Sequence, residues 1–169
     1  MLSKSKTQTQ KLAIRLAKKI LTANRPERKR GATIIALSGN LGSGKTTFTQ
    51  GFMKALGVEH HITSPTFVIM RKYSLSILGS RTSSSEVRLP RIKFQFVYHL
   101  DLYRINKVKE ILSLGFKKII SDPQNIVLIE WPEVVRKILP KNTIWVKFEH
   151  GKKKSERIIK IRTTQNGWL

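Results

Sequence analysis

Gly39-Asn40-Leu41-Gly42-Ser43-Gly44-Lys45-Thr46 is the stretch on which the reading of this chain turns. It satisfies G-x-x-x-x-G-K-[ST], and each position has a physical task. The glycines let the backbone turn tightly, so that successive N–H groups converge on the α- and β-phosphates of a nucleotide. The same groups open a helix, whose dipole favours anions. Lys45 reaches the β- and γ-phosphates, and the Thr46 hydroxyl is placed to ligate Mg²⁺. The cradle runs on to Thr47. The flanks agree with this reading. Thr33–Ser38 (TIIALS) is an apolar, β-branched run expected to form a buried strand. Lys45–Leu56 is expected to be helical, with Phe48, Phe52 and Leu56 on one face and Gly57 as its stop. The spacing is not G-x-G-x-x-G, which disfavours a dinucleotide fold.

Working outward, strand and helix patterns alternate. Thr66–Tyr73, Phe94–Tyr103 and Asn125–Glu130 read as strands. Val108–Leu114 reads as a short helix ended by Gly115, and Pro132–Leu139 as another that stops at Pro140. Thr143–His150 and Arg157–Thr163 alternate with period two around Gly151–Ser155, the pattern of a terminal antiparallel hairpin. Near the start, Leu12, Leu16 and Ile20 recur at helical spacing, with Thr7 and Gln10 as a capping box and Asn24 and Pro26 as the stop. This arm is basic like a transit segment, yet its amphipathic period favours an integral helix. The fold class expected is a three-layer α/β P-loop domain over residues 1–169, with a mainly parallel sheet and a C-terminal antiparallel hairpin.

A phosphate loop needs a carboxylate on its metal side, usually at the end of an apolar strand. Glu130 ends Ile126-Val-Leu-Ile129, and Asp101 follows Phe96-Val-Tyr-His-Leu100. Strand C-termini in open α/β sheets face the ligand crevice. One carboxylate is expected to hold Mg²⁺, directly or through water, and the other to orient the attacking water; the sequence leaves open which does which. Glu133 either supports the site or caps a helix, and Arg104 either neutralises phosphate charge or pairs with Asp101. Ser64-Pro65-Thr66 lies where many P-loop proteins keep a switch whose hydroxyl senses the γ-phosphate. The four histidines show no metal-ligand spacing, and Trp131 reads as a core residue.

Charge is the other conspicuous feature. Lys and Arg number 33 against 10 Asp and Glu, a formal net charge of +23 over 169 residues. The excess lies in residues 1–30, 71–93 and 150–169, while the blocks carrying the motifs are close to neutral. Residues 79–93, rich in Ser and basic groups, read as a surface insertion. With no cysteine, disulfide partners, thiolate metal sites and cysteine nucleophiles are excluded, and a reducing cytoplasm fits. No apolar run approaches the ~18 residues of a membrane span.

The motifs together resemble a known family. Leu37-Ser-Gly-Asn-Leu-Gly-Ser-Gly-Lys-Thr-Thr-Phe48, Ser64-Pro-Thr-Phe67, Tyr98-His-Leu-Asp-Leu-Tyr-Arg104 and Ile129-Glu-Trp-Pro-Glu133, in that order, are similar to the TsaE (YjeE) family over roughly residues 7–140. The family comprises small bacterial P-loop ATPases of threonylcarbamoyladenosine modification of tRNA. The resemblance implies a P-loop sheet with antiparallel strands. It implies ATP and Mg²⁺ at the P-loop, with Lys45, Thr66, Asp101 and Glu130 serving catalysis, and Thr46, Glu130 and Asp101 the metal. It implies the TsaD–TsaB heterodimer as partner, in which TsaD carries out the transfer. The sequence departs from the pattern at Asn40, where the family usually has Asp, and in the length of the 79–93 stretch.

Two other function classes compete. A small-molecule or nucleotide kinase would need a lid, for which Arg71, Arg81, Arg88 and Arg91 are available. A nucleic-acid module is suggested by the charge, but no aromatic platform is evident within the basic segments.

Overall fold

The computed structural model describes residues 1–23, 31–58, 65, 68–75, 94–163 and 166–168. The 79–93 stretch, Ser64, Thr66, His60, His61, Asn24 and Pro26 lie outside them, as do Arg81, Arg88 and Arg91. Thirteen elements follow in order: β1 (Leu2–Ser3), α1 (Lys6–Thr22), β2 (Thr33–Gly39), α2 (Lys45–Ala55), β3 (Met70–Ser74), β4 (Phe96–Asp101), α3 (Val108–Ser113), α4 (Phe116–Ser121), β5 (Asn125–Glu130), a 3-10 helix (Pro132–Ile138), β6 (Ile144–His150), β7 (Arg157–Thr163) and β8 (Asn166–Trp168).

All described strands lie in one sheet, ordered β1-β7-β6-β2-β5-β4-β3, with β8 on β7. The central four, β6, β2, β5 and β4, are mutually parallel. Antiparallel strands flank them, β3 on β4 and the β6–β7 hairpin on the other side. This is the α/β architecture with a parallel centre and C-terminal hairpin that the sequence indicates.

Alternation along the central strands builds two cores. Ile35, Leu37, Ile126, Leu128, Val146 and Phe148 pack beneath α1 and α2. Ile34, Leu100, Val127 and Ile129 face the opposite layer of α3, α4 and the 3-10 helix. Strands buried on both faces read as continuous apolar runs, which is why β2 and β5 were legible. Helices α1 and α2 meet closely because Gly51 has no side chain: a Cβ there would sit 2.7 Å from the Cα and carbonyl oxygen of Gln10.

Several details correct the sequence reading. The cap of α1 is Ser5, which accepts from the Gln8 N–H, and not Thr7 with Gln10. Strand β3 starts at Met70 and not Thr66, because the Val68 and Ile69 N–H groups both fold back onto the Pro65 carbonyl. Gly115 closes α3 as expected, but a second short helix that the pattern did not announce follows it directly. At φ 76° the glycine turns the chain into α4, whose Phe116 and Ile119 are buried. The two-residue β1 and three-residue β8 are too short to carry a pattern.

Candidate functional site

The phosphate loop joins the C-terminal end of β2 to α2. Gly39, Gly42 and Gly44 all have positive φ, and Gly44, at 101°, is the cap from which α2 departs. Helix hydrogen bonding begins with Phe48 N–H to the Gly44 carbonyl. The N–H groups of Lys45, Thr46 and Thr47 therefore have no acceptor within the helix and point out of its positive end. Ser43 is buried, and its hydroxyl has no partner among the described residues. An inward ring of unspent donors of this kind fits the oxygens of a phosphate chain.

Lys45 is buried, with Nζ donating to the carbonyls of Gly39 at 2.7 Å and Asn40 at 2.9 Å. Its ammonium lies 3.9 Å from the centre of the Trp131 ring. Burial pulls its pKa below 10.5, opposed by the negative charges of Glu130, Asp101 and Glu133. The loop's own carbonyls and an aromatic face hold the cation where phosphate oxygens would be the stronger partners.

Parallel pairing of β4 with β5 sets Asp101 opposite Glu130. Both carboxylates are buried. Alternation puts Glu130 on the α2 side of the sheet, where each of its oxygens is engaged and Oε2 keeps a free lone pair. Oε2 accepts from the Thr46 hydroxyl at 2.9 Å. Oε1 accepts from the Thr49 hydroxyl at 3.2 Å and lies 3.0 Å from Nε2 of the fully buried His99. An ionised Glu130 accepts at this contact from a proton on His99 Nε2. Asp101 accepts the Tyr103 N–H at 3.0 Å.

These groups surround a cavity of about 340 Å³ whose lining includes Gly42, Lys45, Thr46, Asp101, Tyr103 and Glu130. The structure thus brings Lys45, Thr46, Thr47, Leu41, Asp101 and Glu130 together, with Gly39 and Asn40 at the adjoining turn. Thr66 lies outside the described residues. Three contributors escaped the sequence reading. His99 and Thr49 carry no motif spacing; only the strand register and the one-turn offset from Thr46 bring them to Glu130. Trp131 is partly buried and packs against the second core as expected, but it also adopts a left-handed backbone conformation at φ 57° and faces Lys45. Glu133 is exposed in the first turn of the 3-10 helix, outside this cavity.

A family model described as threonylcarbamoyl adenosine biosynthesis protein TsaE matches residues 3–159. The chain belongs to the TsaE family. A tRNA threonylcarbamoyladenosine biosynthesis protein TsaE of Borreliella burgdorferi is 36% identical over 112 residues, 66% of this chain and 69% of the relative. TsaE of Bacillus subtilis is 31% identical over 67% of this chain, and TsaE of Haemophilus influenzae 29% over 70%. The chain spans 59% and 64% of the lengths of these last two. The crystal structure of Bacillus subtilis YdiB superposes with a TM-score of 0.65 at 21% identity, covering 97% of this chain and 84% of that one, and so shares the fold. The TsaE family is one of tRNA threonylcarbamoyladenosine biosynthesis. Among the chain's described residues, no helix is long and apolar enough to cross a membrane.

Proposed function

We propose that this chain is a Mg²⁺-dependent ATP-hydrolysing component of the tRNA threonylcarbamoyladenosine machinery, acting in the cytoplasm with the TsaD–TsaB heterodimer. Residues 1–169 act as one P-loop unit, and tRNA is handled by the assembly, with this chain making at most an accessory contact. In the site, the N–H groups of Lys45, Thr46 and Thr47 and the Lys45 ammonium take the phosphate chain. Thr46 and Glu130 hold the metal side, with Asp101 beside them. A bound Mg²⁺ supplies neutralisation of the charge that develops on the β- and γ-phosphate oxygens.

The observation that carries this reading is the engagement of Glu130. With Thr46, Thr49 and His99 on its two oxygens, it is held in one orientation and suits a fixed metal-side role. Asp101, at the same strand level and lining the cavity, is then the carboxylate for the attacking water. Hydrolysis forms a bond from the water oxygen to the γ-phosphorus and breaks that phosphorus's bond to the β–γ bridging oxygen. ADP and phosphate leave, and the water's proton passes by way of Asp101 to solvent. Thr66 serves as the switch hydroxyl that senses the γ-phosphate.

The test is the steady-state ATPase rate of the purified chain alone and with TsaD–TsaB. Slow turnover alone and a marked increase with the heterodimer are expected. Equal rates would contradict the partner-dependent reading.

A further inference from the structure

The β6–β7 hairpin presents two unlike faces. Val146, Phe148, Ile159 and Ile161 face the core under α1 and α2. The alternate positions, Trp145, Lys147, Lys160 and Arg162, face the other way, and the 3-10 helix reaches the first of them through Arg136. Register groups them: Trp145 lies opposite Arg162 on β7 and opposite Ala36 on β2, and Lys147 lies opposite Ser38. This sheet face is the floor of a cleft of about 1410 Å³. The 3-10 helix, through Glu133 and Arg136, and the segment around Lys141 line its sides, and Tyr103 with Trp131 reach it next to the ATP cavity.

The chemistry of the lining is one-sided. Three aromatic rings, Tyr103, Trp131 and Trp145, stand among Arg136, Lys141, Lys147 and Arg162, with Glu133 as the acid. The Arg136 guanidinium carbon is 5.3 Å from the Trp145 ring centre. Lys147 is already paired with Glu149 at 2.9 Å, which leaves Arg136, Lys141 and Arg162 as the main cations. A volume above the ~1,000 Å³ upper range of small-ligand sites argues against a single mononucleotide. Ring faces on an open sheet, ringed by cations, are what unpaired bases and their phosphates require. The near-neutral motif segments thus supply the aromatic platform that the basic segments lack in sequence.

We propose that this cleft binds a short unpaired stretch of RNA, with a base stacked on Trp145 and phosphates on Arg136, Lys141 and Arg162. The site adjoins the ATP cavity along Tyr103, Trp131 and the Gly39–Asn40 turn of the phosphate loop, and it does not depend on ATP hydrolysis.

The experiment is fluorescence anisotropy of the full chain, without nucleotide, using a labelled unstructured RNA of about eight residues. Trp145→Ala should weaken binding about tenfold or more, and Trp145→Phe should largely restore it. Because neither change alters charge, the salt slope should stay the same. Arg162→Glu, at an exposed position, should weaken binding and flatten a slope that three phosphate contacts set at about −2. Unchanged affinity in both Trp145→Ala and Arg162→Glu would overturn the proposal, assigning RNA binding to the general charge of +23. Tighter binding of poly-glutamate than of RNA, lost in Trp145→Ala, would overturn it in favour of an acidic protein segment. Thermal melting of each variant separates loss of the site from loss of the fold.

Discussion

Two recesses meet at the C-terminal ends of the central strands, and they are built on opposite plans. The smaller, about 340 Å³, is walled by buried polar groups that already hold one another: Lys45 on loop carbonyls, and Glu130 on Thr46, Thr49 and His99. The larger, about 1410 Å³, presents exposed cations and partly exposed rings on a sheet face flanked by the 3-10 helix. The first is preorganised for one charge pattern, as chemistry at a fixed atom demands. The second is open and suits an extended anionic chain. Trp131 and Tyr103 stand at the border, with their ring centres 4.9 Å apart.

Lys45→Ala is expected to separate the two recesses most sharply. Removing the buried cation of the phosphate loop should lower ATP hydrolysis by about two to three orders of magnitude. A steady-state ATPase assay reads this directly, and RNA affinity in the larger cleft should change little. If both fell together, the two recesses would be one site.

Trp131→Ala is expected to have a smaller effect, but on both sides. Losing the ring face 3.9 Å from the Lys45 ammonium removes a partly desolvated cation–π contact, about 1–2 kcal/mol, or roughly tenfold in nucleotide affinity. RNA binding should weaken as well. Calorimetric titration with ATP and anisotropy with RNA on the same preparation measure the pair of effects. Trp145→Ala, by contrast, should leave ATP affinity at the wild-type level.

What could be read from sequence follows the same division. The phosphate loop is contiguous, so its spacing encodes its geometry, and Glu130 is marked by the apolar run that precedes it. Local chemistry of that kind survives in one dimension. His99 and Thr49 do not, since what makes them part of the site is the register of β4 on β5 and the turn of α2. Trp131 packs against the second core, as a tryptophan beside an apolar strand is expected to, but the left-handed backbone that also brings its ring to Lys45 has no signature in the sequence. The cleft was illegible for a further reason. Its rings come from residues 103, 131 and 145, on separate segments, and its cations from segments that read as solvated surface.

The outer edge of the hairpin sets the lower limit of effect. Lys147, and then Lys160, hold the exposed Glu149 carboxyl below its ordinary value of 4.5. A lowered carboxyl pKa stabilises the fold above the unfolded value, and that contribution is lost as pH falls through the folded one. The pair is solvent-screened, so Glu149→Gln should leave the melting temperature at neutral pH nearly unchanged. Any small difference should vanish in acid, and a series of thermal melts across pH shows whether it does.

Isothermal titration of ATP into the wild-type chain and Glu130→Gln, each with and without Mg²⁺, tests the central claim most directly. The wild type should bind ATP more tightly with Mg²⁺ than without. In Glu130→Gln that gain should disappear, while metal-free ATP binds at least as well as before, because a buried negative charge near the phosphates has been removed. An unchanged Mg²⁺ gain in Glu130→Gln would contradict the assignment of this cavity and its best-held carboxylate to the metal side of an ATP site.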